Sequence, residues 1–133
     1  MGSHCANMLV RSGVGSIRLI DFDQVSLSSL NRHALAEMED VGHSKVGAMQ
    51  RHLQRIVPWC QVQAVQEMFR IEDAERLLLS PSPLSAASTS TSTSTSPLRR
   101  PDFVVDCIDD VITKADLIAF CLRNGLEVVT SMG

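Results

Sequence analysis

Strand-like and helix-like segments alternate along this chain, and that alternation restricts the fold more than any other feature of the sequence. Short β-prone runs occupy residues 16–20, 61–66, 103–108 and 127–130. Apolar side chains recur at helical intervals in residues 3–12, 43–57, 71–79 and 112–124. Strands that alternate with helices form βαβ units, and such units build a parallel sheet. The sequence therefore predicts an α/β fold with a mostly parallel sheet.

Residues 80–101, with the sequence SPSPLSAASTSTSTSTSPLRRP, interrupt this alternation. Serine and threonine between prolines bury too little apolar surface to offset the entropy lost on ordering, so we predict a disordered surface loop. We interpret it as an insertion between two folded elements, because the entropy of loop closure grows only slowly with length. The alternative is a phosphorylated or partner-binding segment. The 133 residues otherwise fit one domain.

The composition argues against several classes of protein. A pI near 5.7 and a net charge of −3 leave no overall positive field for nucleic acid. Aromatic residues make up only 4% of the chain, which argues against base-stacking platforms. No run approaches the roughly 18 apolar residues of a membrane span, and Met1 to Ala6 lack the pattern of a secretory signal. We therefore expect neither a transmembrane nor a secreted protein.

The cysteines lie far apart and form no CxxC pair, at positions Cys5, Cys60, Cys107 and Cys121. That spacing disfavours a zinc knuckle, so we expect buried free thiols in a reducing compartment. Cys107 lies in an apolar strand segment and Cys121 in an apolar helix segment. We interpret both as packing thiols rather than catalytic or sulfur-carrying groups.

An acidic pair, Asp21 and Asp23, directly follows the first strand segment. Open α/β sheets bind their ligands at the carboxyl ends of the strands. An ionised carboxylate at such a strand end can accept two hydrogen bonds from ribose hydroxyls, which makes this a candidate ribose site. The alternative is a turn or cap residue, a common role of aspartate at a strand end.

Polar and basic side chains come next, in Ser28-Ser29-Leu30-Asn31-Arg32 and at Lys45. A guanidinium offers planar donors and an ammonium offers a point charge. Gathered after an acidic strand end, these groups suggest a clamp for a polyphosphate. The alternative is a solvated loop followed by a lysine at the start of a helix.

Three carboxylates, Asp106, Asp109 and Asp110, follow the third strand segment. They repel one another unless a cation or a lysine neutralises them, which suggests a magnesium–phosphate site. Helix capping by Asp109 or Asp110 is an alternative that is compatible with such a site.

The glycine-rich turn of a nucleotide-binding domain is incomplete in this sequence. Only Met1-Gly2-Ser3-His4 stands before the first helix segment. These residues fit either the remnant of a cloning tag or the end of a glycine-rich loop.

The order of these motifs resembles the ThiF/MoeB/HesA superfamily of ubiquitin-activating-enzyme-like adenylating proteins. The resemblance rests on GSHCANMLVRSGVGSIRLIDFDQVSLSSLNRH, GHSK, DCIDD and GLEVVTSMG, in that order. It covers nearly the whole chain outside the Ser/Thr-rich insertion and is closest to the tRNA threonylcarbamoyladenosine dehydratase branch. In that superfamily a glycine-rich turn, a strand ending in DxD, a segment like SNLNRQ, a downstream lysine and a DxxDN-like element bind ATP and magnesium. The resemblance implies a Rossmann-like, doubly wound, mostly parallel sheet.

The resemblance also implies a role for each matching residue. Gly2 would be the final glycine of the phosphate turn, Asp21 the ribose acid and Asp23 its partner at the strand end. Lys45 would contact the polyphosphate.

The remaining matches would complete the nucleotide site. Residues 28–32, beginning with Ser28, would line the nucleotide, with Asn31 and Arg32 facing the phosphates. Asp109 would hold magnesium. Asp110 falls where many relatives have asparagine, whose amide can donate a hydrogen bond. Asp110 could replace that donor only when its carboxyl group is protonated.

By resemblance, the activity is ATP-dependent adenylation of the carboxylate of N6-threonylcarbamoyladenosine in tRNA, followed by ring closure with loss of water. Arg32, Lys45 and Asp109 would carry the catalysis, with ATP and Mg²⁺ as cofactors. The implied partners are tRNA and a second copy of the chain, in the cytoplasm or, alternatively, on the surface of the mitochondrial outer membrane. Two other functions stay open: activation of the C-terminus of a ubiquitin-like protein, and a non-catalytic fragment.

Set against the superfamily pattern, the chain is expected to lack the first strand and the first glycines of the phosphate turn. It is also expected to stop before the acceptor-binding half. On that expectation the 133 residues alone would show little ATP turnover.

Overall fold

The computed structural model describes residues 1–79 and 100–131. In chain order its helices and strands are α1 Gly2–Arg11, β1 Ser16–Ile20, α2 Lys45–Ile56, β2 Gln61–Val65, α3 Ala74–Leu79, β3 Val104–Asp106, α4 Val111–Arg123 and β4 Val128–Thr130. Short 3₁₀ turns cover Leu27–Ser29, Met38–Asp40 and Ile71–Asp73. The chain divides into two compact units, Met1–Met68 and Phe69–Gly133. We refer to them as unit 1 and unit 2.

Each unit contains one pair of parallel strands. In unit 1, β1 runs parallel to β2, with Ile17 opposite Val62. In unit 2, β3 runs parallel to β4, with Val104 opposite Val128. A helix lies between the paired strands in the sequence in both cases, α2 in unit 1 and α4 in unit 2. The predicted α/β class with parallel pairing is confirmed.

Helix α2 supplies much of the unit 1 core. Ser44 caps its N-terminus, where the Ser44 side-chain oxygen accepts a hydrogen bond from the Gly47 N–H at 3.1 Å. Among the apolar side chains that recur at helical intervals in this segment, Val46, Met49 and Leu53 are buried. They form one cluster with further buried side chains of unit 1, namely Ala6, Val10, Leu19, Val57, Cys60 and Val62. Full burial of an aliphatic side chain of this size contributes about 1.5–3 kcal/mol, so this cluster is the main stabilising contact of unit 1.

Glycines in the left-handed conformation end two helices by the same mechanism. Gly13, with φ of +100°, ends α1: its N–H donates to the Val10 carbonyl at 3.1 Å, and the Val14 N–H donates to the Leu9 carbonyl at 3.3 Å. Gly125, with φ of +61°, ends α4 with an equivalent pair of hydrogen bonds. This double pattern is the Schellman motif, which favours glycine because no Cβ obstructs the turn. It directs the chain from α1 toward β1 and from α4 toward β4.

The core of unit 2 forms around α4. Cys121 is fully buried there, in one cluster with Val104, Leu117 and Leu126. Burial raises the pKa of the Cys121 thiol, and the charge of Asp106 adds to that effect. Cys121 therefore packs as a neutral thiol, as the sequence predicts, and Cys107 is half-buried.

Most predicted boundaries differ from the observed ones by one or two residues, and two of the differences have a visible local basis. The strand expected over residues 103–108 is limited to Val104–Asp106, because the Asp106 side chain accepts a hydrogen bond from the Ile108 N–H at 2.9 Å and turns the chain. The helix expected over residues 71–79 begins as a 3₁₀ turn before α3.

Most of the predicted loop over residues 80–101 lies outside the described residues, which resume at residue 100. Among the residues that are described, no helix combines the length and the hydrophobicity needed to cross a membrane.

Candidate functional site

The carboxyl end of β1 turns sharply at Asp21. Its N–H donates to the Val65 carbonyl at 3.2 Å, so the pairing of β1 with β2 continues one residue past the strand. Its side-chain Oδ1 accepts a hydrogen bond from the Asp23 N–H at 2.8 Å. This local bond is the turn role that the sequence left open for an aspartate at this place. It leaves the second carboxylate oxygen available to a ligand, so both roles are compatible.

The chain after β1 is held by the segment that leads into α2. The Val25 N–H donates to the His43 carbonyl at 2.8 Å, and the Gly42 N–H donates to the Val25 carbonyl at 2.8 Å. The Lys45 N–H donates to the Asp23 carbonyl at 2.9 Å. Gly42 adopts a φ of +90°, a conformation that glycine permits at little cost. These bonds bring the first residue of α2 to the carboxyl end of β1.

Lys45 therefore meets the acidic strand end with its side chain as well. Its Nζ lies 2.6 Å from the Asp23 Oδ2, and the Lys45 and Asp23 side chains are 20% and 45% exposed. A pair this accessible to solvent contributes little to stability. The structure thus brings Asp21, Asp23 and Lys45 together, with a primary ammonium that still has donors to offer an anionic ligand.

The segment 28–32 forms a second local group. Ser29 is buried, and its hydroxyl donates to the Ser26 carbonyl at 2.7 Å. The Arg32 Nη1 donates to the Ser28 carbonyl at 2.9 Å and to the Asn31 Oδ1 at 3.2 Å. Asn31 and Arg32 are exposed. The guanidinium is folded onto its own segment, with its other N–H donors available.

The first turn of α1, which contains Gly2, contacts this segment. The Ser3 hydroxyl oxygen accepts a hydrogen bond from the Ala34 N–H at 3.0 Å. The His4 Nε2 lies within hydrogen-bond distance of the Arg32 carbonyl, at 3.3 Å. The N-terminus of α1 therefore supports the chain on either side of His33. In this turn the sequence predicts a role for Gly2 alone.

His33 directly follows Arg32, and the sequence predicts no role for it. Burial lowers its pKa below the usual value, the charges of Lys45 and His4 lower it further, and Asp21 and Asp40 act in the opposite direction. The ring is therefore neutral near pH 7. Because the charges of Lys45 and Asp21 both act on it, His33 lies in the same neighbourhood as the acidic strand end.

Asp40, for which the sequence predicts no role, is the centre of a buried hydrogen-bonded cluster in unit 1. It is 2% exposed and accepts hydrogen bonds from the Arg51 Nη2 at 2.6 Å, the His52 Nε2 at 2.8 Å and the Glu37 N–H at 2.9 Å. Burial acts to raise the pKa of Asp40, but these donors outweigh it and lower the pKa to about 2. The cluster fastens the turn before Gly42 to helix α2.

In unit 2 the acidic run has a different organisation from the one predicted. Asp106 is buried, and its Oδ2 accepts hydrogen bonds from the Lys114 Nζ at 2.5 Å and the Thr130 hydroxyl at 2.7 Å. The Lys114 Nζ also donates to the Ser131 carbonyl at 2.9 Å. The sequence allowed a cation or a lysine to neutralise the acidic run, and for Asp106 the partner is a lysine of the chain itself. Asp106 therefore gives no support to a magnesium site.

Asp110 is the N-cap of α4. Its Oδ2 accepts hydrogen bonds from the Thr113 N–H at 2.8 Å and the Thr113 hydroxyl at 2.7 Å, and these bonds lower the pKa of Asp110. The capping alternative is thus confirmed for Asp110. Asp109 is exposed. Within residues 1–79 and 100–131, no group of three His, Cys, Asp or Glu side chains is arranged to hold a metal ion.

Known proteins of similar sequence and structure cover the whole chain. It is 44% identical over 133 residues to tRNA threonylcarbamoyladenosine dehydratase 2 of Saccharomyces cerevisiae, of which it spans 26%. A crystal structure of E. coli tRNA N6-threonylcarbamoyladenosine dehydratase in complex with ATP matches 100% of the chain with a TM-score of 0.78 at 31% identity. The same E. coli enzyme in complex with AMP matches 99% of it with a TM-score of 0.77 at 32% identity.

These relatives are longer than the chain, which covers 47% and 46% of the two E. coli structures. A sequence pattern that describes the ThiF family matches residues 1–133. That match spans every segment from which the fold and the site were built, so the chain belongs to the ThiF family.

Proposed function

We propose that this chain is the ATP-binding part of a tRNA threonylcarbamoyladenosine dehydratase. It would activate the carboxylate of N6-threonylcarbamoyladenosine in tRNA by adenylation and allow that carboxylate to cyclise. The observation that carries the proposal is the meeting of Asp21, Asp23 and Lys45 at the carboxyl end of β1. In α/β sheets this end of the strands is where nucleotides bind.

The charges at this strand end suit the parts of ATP. The free oxygen of Asp21 can accept hydrogen bonds from ribose hydroxyls. The ammonium of Lys45 can attract a phosphate, and the remaining N–H donors of Arg32 can bind phosphate oxygens in a plane. The similar E. coli structures are complexes with ATP and with AMP, which supports an adenine nucleotide as the ligand.

A carboxylate is a poor electrophile because its negative charge repels a nucleophile. In the proposed reaction a carboxylate oxygen attacks the α-phosphorus of ATP, and pyrophosphate leaves. The neighbouring carbamoyl group then attacks the acyl carbon and loses a proton, while AMP departs with the former carboxylate oxygen. The substrate therefore loses one molecule of water overall, and no residue of the chain becomes a covalent nucleophile.

Arg32 and Lys45 would stabilise the charge that develops on the phosphorus and its oxygens. Donors that are already oriented in the folded protein stabilise such charge without reorganisation at the moment of reaction. The backbone bond between Lys45 and Asp23 provides that orientation for the lysine. Arg32 is oriented by its bonds within residues 28–32.

Magnesium remains part of the proposal through Asp109. Mg²⁺ in nucleotide sites is held by one or two carboxylates together with phosphate oxygens, so one exposed carboxylate is a sufficient protein contribution. When bound, the ion would neutralise phosphate charge. Asp110 is already engaged as a helix cap and is not needed for this role.

tRNA and a second copy of the chain are the proposed partners, and the cytoplasm or the surface of the mitochondrial outer membrane the proposed location. Activation of a ubiquitin-like protein is not favoured, because the similar proteins described above are tRNA-modifying dehydratases. Both enzymatic functions require ATP binding, whereas a non-catalytic role does not, so an ATP titration distinguishes them.

The experiment is an ATP titration together with a pyrophosphate-release assay on tRNA that carries the threonylcarbamoyl group. The assay uses the chain within a protein of its relatives' length, which we expect to bind ATP and release pyrophosphate, whereas residues 1–133 alone should show little ATP turnover. Arg32→Ala should lower the rate about a hundred- to a thousand-fold while the denaturation midpoint stays unchanged, because the residue is exposed and its role is charge stabilisation. Arg55→Ala, which removes an exposed arginine from α2, is the matched control and should have wild-type activity.

Two results would overturn the proposal. Wild-type protein that fails to bind ATP would identify a non-catalytic role. Pyrophosphate release with a ubiquitin-like protein, but not with the modified tRNA, would identify the other branch of the family.

A further inference from the structure

The two ring nitrogens of His33 have different surroundings. The Nδ1 accepts hydrogen bonds from the Ala36 N–H at 2.9 Å and from the Leu35 N–H at 3.3 Å. A nitrogen that accepts hydrogen bonds carries no proton, so the single proton of the neutral ring is on Nε2. The turn at residues 33–36 therefore selects one tautomer of His33.

The charges around His33 keep this tautomer neutral. The titratable groups that act on the ring are His4 from α1, Asp21 after β1, Asp40 from the 3₁₀ turn and Lys45 from α2. Burial lowers the pKa of His33 most and the charge of Lys45 lowers it further, while the two carboxylates act to raise it and His4 has the smallest effect. The ring thus presents an uncharged N–H donor near pH 7.

The Nε2 atom is accessible to a ligand. Within residues 1–79 and 100–131, the His33 ring makes hydrogen bonds to protein atoms through Nδ1 alone. No buried side-chain nitrogen or oxygen of these residues lacks a partner, so the Nε2 must reach solvent. His33 is half-buried, and its ring is held by the turn rather than free to rotate.

These observations place a fixed, neutral and unused N–H donor in the neighbourhood of Asp21 and Lys45. We propose that His33 is a further ATP-binding residue, whose Nε2–H donates a hydrogen bond to a phosphate oxygen of the nucleotide bound at this site. Its Nδ1 meanwhile holds the turn that follows Arg32. This inference rests on the proposed function, since it takes ATP as the ligand.

Two substitutions separate the roles of the two nitrogens. Asparagine carries its side-chain oxygen near the position of Nδ1, so His33→Asn can keep the acceptor of the turn but has no donor at the position of Nε2. Glutamine reaches as far as Nε2 with its amide nitrogen, so His33→Gln restores the donor.

The test is the dissociation constant for ATP of wild-type protein and both variants, with the denaturation midpoint of each. A hydrogen bond to a charged group corresponds to roughly tenfold or more in affinity. We expect His33→Asn to weaken ATP binding by about that factor at an unchanged midpoint. We expect His33→Gln to bind ATP within about threefold of wild type.

The outcomes are distinguishable from failure of the proposed function. If wild-type protein does not bind ATP, the proposed function fails. If wild-type protein binds ATP and His33→Asn binds it equally well, the role of His33 is wrong while the function stands. If both variants lose ATP affinity together with the denaturation midpoint, His33 serves the turn alone and the inference is overturned.

Discussion

Asp23 and Lys45 are joined by two hydrogen bonds, one from the backbone N–H of the lysine and one from its side chain. The Lys45 N–H donates to the Asp23 carbonyl at 2.9 Å, and its Nζ lies 2.6 Å from the Asp23 Oδ2. The backbone bond keeps Lys45 at the carboxyl end of β1 even when its ammonium exchanges the aspartate for another anion. In the proposed nucleotide site, Lys45 would therefore bind a phosphate without a rearrangement of α2.

Lys45→Ala should weaken ATP binding by more than about tenfold, because it removes a positive charge and a hydrogen-bond donor to phosphate. The free energy of unfolding should change by less than about 1 kcal/mol, since the ion pair with Asp23 is partly exposed. ATP titration and urea denaturation measure the two quantities. Arg55→Ala removes one positive charge from the same helix and should leave ATP binding unchanged. Equal effects of both variants would mean that only net charge matters.

Lys114→Met should strongly destabilise unit 2, by about 3–5 kcal/mol, because it leaves the Asp106 carboxylate buried without its cation. The Asp106 and Lys114 side chains are 0% and 13% exposed. The double variant with Asp106→Asn should recover much of that loss, since neither charge then remains. Urea denaturation of the single and double variants measures the coupling. A loss below about 1 kcal/mol in Lys114→Met would contradict the pair's structural role.

Acid should destabilise unit 1 in a pH range set by Asp40. Its pKa is 3.8 in the absence of interactions and about 2 in the folded protein. As the pH falls through this range the unfolded chain takes up a proton that the folded protein does not, so about 2 kcal/mol of stability present above pH 3.8 is lost by about pH 2.

Asp40→Asn should remove this pH dependence, and Glu39→Gln, which changes an exposed carboxylate in the same turn, is the matched comparison. Unfolding free energies measured between pH 5 and pH 2 test it. If the wild type and Asp40→Asn lose stability in parallel across that range, the assignment to Asp40 is wrong.

Asp110→Ala should lower the denaturation midpoint, because it removes the N-cap of α4 and its bonds to Thr113. Asp110→Ser should retain most of the midpoint, since serine is also a good cap. Asp109→Ala should leave the midpoint at the wild-type value, because its side chain is exposed. Thermal denaturation measures all three. A larger shift for Asp109→Ala than for Asp110→Ala would reverse the assignment of the cap.

Local sequence determined the elements of this protein. β1 spans Ser16–Ile20 as predicted, and α2 forms within the predicted segment 43–57, where it buries Val46, Met49 and Leu53. Gly13 ends α1 next to the end of the predicted segment 3–12, and Gly125 ends α4 next to the end of the predicted segment 112–124. These features depend on residues within a few positions of one another, through periodic burial and backbone preference, so a single sequence contains them.

Only the tertiary structure decided how the charged side chains pair. The sequence left a cation or a lysine open as the partner of the acidic run, and the packing of β4 and α4 pairs Asp106 with Thr130 and Lys114. No sequence signal marked Asp40, because its partners Arg51 and His52 lie on α2. His33 ends the segment SSLNRH, but the charges around it come from α1, the end of β1 and α2. Whether a carboxylate meets a lysine, a backbone N–H or solvent depends on burial and on the packing of whole elements, and neither can be read from neighbouring residues.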